Sequence, residues 1–210
     1  MAILKKLLPP KDYLVNAVFS IEPYIIAGRL DEATEILEEV RKKLEPPIDK
    51  IVPFGYLFIY AETGDTAKVR EAIIGAEELI EAFGEDMLRG NVVYAKARIN
   101  EFLGEYEAAI ENYREGLDMN ATRYSYYRGI SRCYRNMKEY DKAEAEIEKA
   151  LSLRPYNPMN IYEAALIYLE TGENEKGMEL LSKAVGIWKD ADPDYERANE
   201  AKEKYESLMQ

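Results

Sequence analysis

The chain has 210 residues, a formal net charge of −12 from 28 basic and 40 acidic residues, one cysteine and no histidine. The acidic balance argues against nucleic acid or an anionic membrane surface as a partner, because contacts with phosphate require a basic surface. Without histidine the commonest general base and metal ligand are missing, and one cysteine cannot form an internal disulfide. The composition therefore predicts a cytoplasmic protein without membrane span, cofactor or metal, which has no nucleic-acid partner.

The chain opens on a short apolar run, Met1–Pro10, that contains two lysines. The run is too short for a secretory signal. We interpret residues 1–13 as an N-terminal tail.

One short turn motif then recurs five times. Its first residues are Gly28, Gly64, Gly104, Lys138 and Gly172, at intervals of 36, 40, 34 and 34 residues. With each of them taken as position 15 of a 34-residue unit, the units are 14–47, 50–83, 90–123, 124–157 and 158–191. A period near 34 residues predicts helical hairpins that stack and leave a groove along one side.

Two units depart from the regular pattern. Pro23 lies inside the first helix of the first unit, where it removes a hydrogen bond, so we expect a break near Ser20. Residues 84–89 are extra relative to the period and predict a lengthened helical pair at the second unit.

The spacing of small and large side chains completes the pattern. Position 20 is Ala or Gly in four of the five units, with Val69 in the second, and position 24 is large in all five, as helices that cross closely require. In the fourth unit the matching residues are Tyr127, Ile130, Ser131, Tyr134, Tyr140, Ala143, Ile147, Ala150 and Pro155. These spacings resemble those of the tetratricopeptide repeat family, over residues 14–191. The resemblance implies an all-α, right-handed α-solenoid of about five helical hairpins that binds a partner protein in its concave groove.

The segment 192–210 follows the last unit. Asp192 and Pro193 are typical of a helix start, and an apolar stripe through Ala201 follows them. We interpret 192–210 as a C-terminal capping helix that packs over Trp188.

In the family, the first helix of each unit lines the groove with one stripe of side chains. In this chain the stripe predicts a peptide-binding site formed by Asn91, Tyr94, Arg98, Arg128, Arg132 and Arg135, with Phe54 and Tyr162 from neighbouring units. Guanidinium groups bind carboxylates well, so the ligand would be acidic or would end in a free carboxylate. The alternative is that Glu101 and Glu163 pair with the arginines inside the chain.

The N-terminal part of the groove stripe is apolar, with Val18, Ile25, Ile26, Phe54 and Phe58. Either the broken first helix covers this patch, or a partner segment or a second copy of the chain does. We therefore predict a non-enzymatic protein-interaction module. The alternatives are a self-associating assembly scaffold, which would be a homo-oligomer, and the docking or regulatory part of a larger enzyme or a secretion chaperone.

Overall fold

The computed structural model describes residues 10–45, 51–83 and 86–210, and every regular element in these ranges is a helix. The α-helices are α1 (Pro10–Phe19), α2 (Glu22–Ile26), α3 (Leu30–Arg41), α4 (Val52–Thr63), α5 (Thr66–Phe83), α6 (Asp86–Phe102), α7 (Tyr106–Met119), α8 (Tyr124–Asn136), α9 (Tyr140–Leu153), α10 (Pro158–Glu170), α11 (Asn174–Ile187) and α12 (Glu196–Leu208). A short 3₁₀ turn, Trp188–Asp190, lies between α11 and α12. Consecutive helices pack on each other as the hairpins of an α-solenoid. Within the described ranges, no helix combines the length and the apolar character needed to cross a bilayer.

The repeated turn motif has a backbone reason. The five residues that begin it are the residues with positive φ in the described ranges: Gly28, Gly64, Gly104, Gly172 and Lys138. A left-handed residue ends one helix and reverses the chain into the next, and glycine does this without steric cost. At Lys138, where φ is 63°, a side chain is tolerated in the fourth turn.

The first unit begins with a broken helix, as predicted. Helix α1 ends at Phe19, and α2 starts at Glu22 with Pro23 in its first turn. Proline is tolerated there because the first amides of a helix have no partner inside it. Helix α1 already begins at Pro10, so residues 10–13 of the expected tail are helical, and residues 1–9 lie outside the described ranges.

The expected lengthening is divided between two units: α5 of the second unit and α6, the first helix of the third unit, are long, whereas α4 has 12 residues, so the predicted lengthened pair within the second unit is not formed. Helix α5 has 18 residues, whereas the second helices of the third, fourth and fifth units have 14 each. Helix α6 has 17 residues, against 13 in α8. Residues 84 and 85, between α5 and α6, lie outside the described ranges.

The C-terminal segment packs on the first unit as well as on the last. Trp188 Nε1 donates to the carbonyl of Ile26 at 2.9 Å, and the Tyr195 ring packs edge-on against Trp188. A Cβ at Gly28 would overlap the Tyr195 ring. One apolar cluster accordingly joins the first unit with α10, α11 and α12. We call the set Gly28, Trp188, Asp192 and Tyr195 the end-to-end contact.

Asp192 has a role different from the expected one. Helix α12 starts later, at Glu196, and the Asp192 carboxylate accepts a hydrogen bond of 2.9 Å from the amide of Asp31. Asp31 lies in the first turn of α3, whose own N-cap residue Arg29 supplies no side-chain cap. Asp192 therefore caps a helix of the first unit rather than its own helix, because the segment around Trp188 packs on the first unit.

Candidate functional site

The predicted groove residues come together between the first helices α4, α6, α8 and α10. Arg98, Arg128 and Arg132 are all buried, and Arg98 is only 1% exposed. Arg135, one turn further along α8, is partly buried. The predicted convergence of four guanidinium groups is therefore present, inside the molecule rather than on its surface.

Glu101 is the first of two carboxylates that organise this cluster. Arg132 contacts it with two nitrogens, Nε to Oε1 at 2.6 Å and Nη2 to Oε2 at 2.9 Å. Arg98 Nη1 lies 2.7 Å from Oε2, and the Tyr113 hydroxyl donates to the same oxygen at 2.7 Å. Arg98 also donates from Nε to the carbonyl of Ala61 at 2.9 Å. Two cations thus share one buried carboxylate, and hydrogen bonds satisfy both of its oxygens.

Glu62 is the second carboxylate, and it connects distant parts of the chain. Its Oε1 lies 3.3 Å from Arg128 Nη2 and accepts a hydrogen bond of 2.5 Å from the Tyr94 hydroxyl. Its Oε2 lies 3.1 Å from Nη2 of Arg197 on the last helix. Glu62 therefore links the second, third and fourth units to α12.

Arg135 has partners of its own on α10. Its Nε lies 2.7 Å from Glu163 and its Nη1 lies 2.9 Å from Glu170. The fourth unit is thereby joined to the fifth by a guanidinium with two carboxylate partners.

Burial and charge act on these groups in opposite directions. Burial alone would raise the pKa of the Glu62 carboxyl, but Arg197 and Arg128 hold it well below its usual value. Burial likewise opposes ionisation of Glu101, yet Arg132 and Arg98 keep its pKa low. Both carboxylates are therefore charged at neutral pH and neutralise part of the charge of the three buried guanidinium groups.

The structure corrects the idea that these arginines are free anchors. Each of the four is paired with a carboxylate of its own chain, which was the alternative that the sequence left open, and Glu101 and Glu163 are among those partners. Phe54 is also unavailable, since it is 0% exposed in the apolar core. The N-terminal apolar stripe is largely covered within the chain, with Val18 and Ile25 buried.

Two cavities lie on the two sides of Glu62. The first, of about 350 Å³, is lined by residues that include Phe58, Asn91, Tyr94, Arg123, Arg128 and Arg154, and we call it the Phe58 cavity. The second, of about 570 Å³, is lined by residues that include Arg98, Phe102, Arg132, Arg135, Tyr162 and Arg197, and we call it the Arg135 cavity. Seven of the eight predicted site residues thus line one cavity or the other, and Phe54 lines neither.

Several residues of the site were missed in the sequence. Glu62 occupies the last stripe position of the second unit, so the same stripe could have found it. No sequence pattern marked Arg197 as a site residue, because its position beside Glu62 depends on the end-to-end contact. Asn160, fully buried on α10, holds the preceding turn by donating from Nδ2 to the carbonyls of Ala150 and Arg154.

Two consecutive stretches of the chain match a family model. Residues 91–123 and 124–157 each match the model of the tetratricopeptide repeat. These two stretches contain α8, most of α6, and the second helices α7 and α9 that pack behind them.

Curated relatives share part of the chain. Over 89 residues it is 33% identical to the BBSome complex member BBS4 of Bos taurus, which covers 42% of this chain. Over 163 residues it is 26% identical to cellulose synthase operon protein C of Pseudomonas fluorescens (strain SBW25), which covers 77% of this chain. The matches span 17% and 13% of the length of those two proteins.

Solved structures share the fold. A thermophilic tetratricopeptide-repeat protein of Thermus thermophilus superposes with a TM-score of 0.59 and 18% identity, over 95% of this chain and 98% of that one. The type III secretion translocator chaperone SycD of Yersinia enterocolitica gives a TM-score of 0.52 and 19% identity, over 57% of this chain and 91% of that one.

Proposed function

Because the chain belongs to the tetratricopeptide repeat family, we propose that it is a protein-interaction module without catalytic activity of its own, which holds a segment of a partner protein along its concave side. The observation that carries this proposal is the pair of cavities between the first helices, lined by the residues of the groove stripe. A groove of this kind suits an extended or helical peptide.

The names of two similar proteins support the same class of function. One is a translocator chaperone of a secretion system, and the other is a member of a protein complex. Both names describe proteins that act through contacts with other proteins.

The buried ion pairs contribute to the proposed function as a rigid frame. Glu62 and Glu101 fix the relative positions of α4, α6 and α8, which carry most of the groove surface. A preformed groove loses less conformational entropy when a ligand binds. We expect a Kd of about 1 μM for a single short peptide, weaker at higher salt if the peptide is charged.

The experiment is a selection of short random peptides displayed on phage, followed by titration of the enriched peptides against the chain by fluorescence anisotropy. Hydrogen–deuterium exchange then locates the bound peptide. We expect protection in the first helices α4, α6, α8 and α10, and little change in the second helices α7, α9 and α11. Selection of no binding peptide, or protection confined to the second helices, would overturn the proposal.

A further inference from the structure

Two arginines at the mouth of the Phe58 cavity take no part in the ion pairs of Glu62, Glu101, Glu163 and Glu170. Arg123 is half-buried and Arg154 is exposed, and neither has a carboxylate within 4.0 Å among the residues whose side chains the structure describes. Aromatic rings position both: Arg154 lies 5.9 Å from the centre of the Tyr124 ring, and Arg123 lies 5.8 Å from that of Phe58. In a chain of net charge −12, both guanidinium groups thus contact aromatic rings rather than carboxylates.

The charges that line this cavity favour an anion. Three guanidinium groups, Arg123, Arg128 and Arg154, face two carboxylates, Glu22 and Glu62. Glu62 is also shared with Arg197, and Glu22 accepts a hydrogen bond of 2.8 Å from the Tyr124 hydroxyl. The positive charge at the mouth is thus only partly balanced within the chain.

Buried polar atoms inside the cavity lack partners as well. Asn91 is 6% exposed and Arg128 is 2% exposed. Within the described part of the chain, Oδ1 of Asn91 and Nε of Arg128 make no hydrogen bond. An unmatched buried donor or acceptor costs free energy unless a ligand or solvent satisfies it. The Oδ1 atom of Asn91 is an acceptor for a hydrogen bond from a donor such as a peptide N–H.

The start of α8 reaches the same cavity. Arg123, Tyr124 and Ser125 line it, and the N-terminus of α8 receives no side-chain cap from Arg123. Free amides at a helix start attract negative charge. These amides, the two guanidinium groups and the unmatched polar atoms all line one cavity, and this combination favours an oxyanion.

Part of the cavity lining is apolar. It is formed by Phe19, Ile25, Ile26 and Phe58, and the Phe19 side chain is 43% exposed. An apolar side chain placed beside the anion would be removed from water there.

We propose that the Phe58 cavity is a specificity pocket for a partner segment in which an acidic side chain stands next to an apolar one; this rests on the proposed peptide-binding function. The acidic group binds Arg123, Arg154 and the first amides of α8. The apolar side chain packs on Phe19 and Phe58, and Asn91 accepts a hydrogen bond from the peptide backbone.

The experiment repeats the phage selection with the wild-type chain and with the double variant Arg123→Gln/Arg154→Gln. Peptides with amidated C-termini are then used for titration, so that only side chains supply the acid. We expect the wild type to enrich Asp or Glu beside an apolar residue, and the double variant to lose this preference. The best wild-type peptide should bind the double variant at least about 10-fold more weakly, since two charge-assisted contacts are removed.

The matched control is Arg70→Gln, which removes an exposed guanidinium of α5 that lines neither cavity. It should bind the peptide as the wild type does, and thermal melting by circular dichroism should show that all variants are folded. If the double variant selects and binds the same acidic peptides as the wild type, the specificity pocket is refuted while the binding function stands. If neither protein selects any peptide, the binding function fails together with the pocket.

Discussion

The two cavities use the same residue type in opposite ways. In the Arg135 cavity, Arg98 and Arg132 are buried and share the carboxylate of Glu101. At the mouth of the Phe58 cavity, Arg123 and Arg154 are reachable and stand on aromatic rings. Whether an arginine holds repeats together or remains available to a ligand thus depends on the carboxylates that neighbouring helices bring to it.

The largest effect should follow from removing the charge of Glu101, the carboxylate that pairs with two buried arginines. Glu101→Gln leaves Arg98 and Arg132 buried without a countercharge and should lower the free energy of unfolding by about 3–5 kcal/mol. Chemical denaturation at neutral pH measures the loss. The control Glu107→Gln changes an exposed glutamate of α7 and should cost less than about 0.5 kcal/mol. Equal stability of the two variants would contradict a structural role for Glu101.

Acid should act on the same carboxylates. The ordinary pKa of Glu62 and Glu101 is 4.5, and the folded chain holds both well below it. The unfolded chain therefore takes up these protons first, so the stability that both groups provide above about pH 4.5 declines as the pH falls. Each carboxylate adds a slope of up to about 1.4 kcal/mol per pH unit.

Denaturation curves between neutral and acid pH test this expectation. Glu101→Gln should show a shallower decline than the wild type, because one group that titrates has been removed. Parallel pH profiles for the two proteins would mean that Glu101 does not carry the acid sensitivity.

A smaller effect should follow from loosening the end-to-end contact, which holds Arg197 against Glu62 between the two cavities. Gly28→Ala places a Cβ against Tyr195 in a turn with φ of 74°. Gly104→Ala is a matched control, since φ there is 78° and nothing lies within 4 Å. The control should lose only the cost of a left-handed alanine, about 1–2 kcal/mol, and Gly28→Ala should lose more.

The only tryptophan of the chain lies in this contact and reports on it. Its fluorescence should shift to longer wavelength in Gly28→Ala and stay unchanged in Gly104→Ala. The same emission in both variants would show that the contact tolerates the added methyl group.

The smallest effect on stability should come from substituting Arg123, which contacts an aromatic ring rather than a carboxylate. Arg123→Gln removes a guanidinium that has no carboxylate partner among the side chains the structure describes, so stability should stay within about 0.5 kcal/mol of the wild type. Arg132→Gln, within the helix that Arg123 precedes, removes two nitrogens that contact Glu101 and should be strongly destabilising. Thermal melts of both variants give the difference directly, and similar melts would remove the distinction between paired and unpaired arginines.

Local features of the fold were readable from the sequence. The turn residues Gly28, Gly64, Gly104, Lys138 and Gly172 mark the backbone reversals, because a left-handed residue favours glycine wherever it occurs. Pro23 predicted the break in the first helix for an equally local reason, its missing N–H.

The site was less predictable, because pairing depends on contacts between residues far apart in the chain. The stripe placed Arg98 and Arg132 together, but it did not decide between a ligand and Glu101 as their partner. Arg197 and Asp192 reach the first and second units only after the last helix has folded back. The repeat period and the turn motif do not predict that the C-terminal segment packs against the first and second units.

The packing of Trp188 and Asp192 on the first unit has a consequence for folding during synthesis. In an open stack of repeats, each unit depends only on its neighbours, and the first can settle while the rest is still being synthesised. Here α3 obtains its cap from Asp192, and the carbonyl of Ile26 obtains its donor from Trp188. The first unit is therefore completed only after Trp188 and Asp192 have been synthesised, so its stability depends on a contact between units that are not neighbours in the stack.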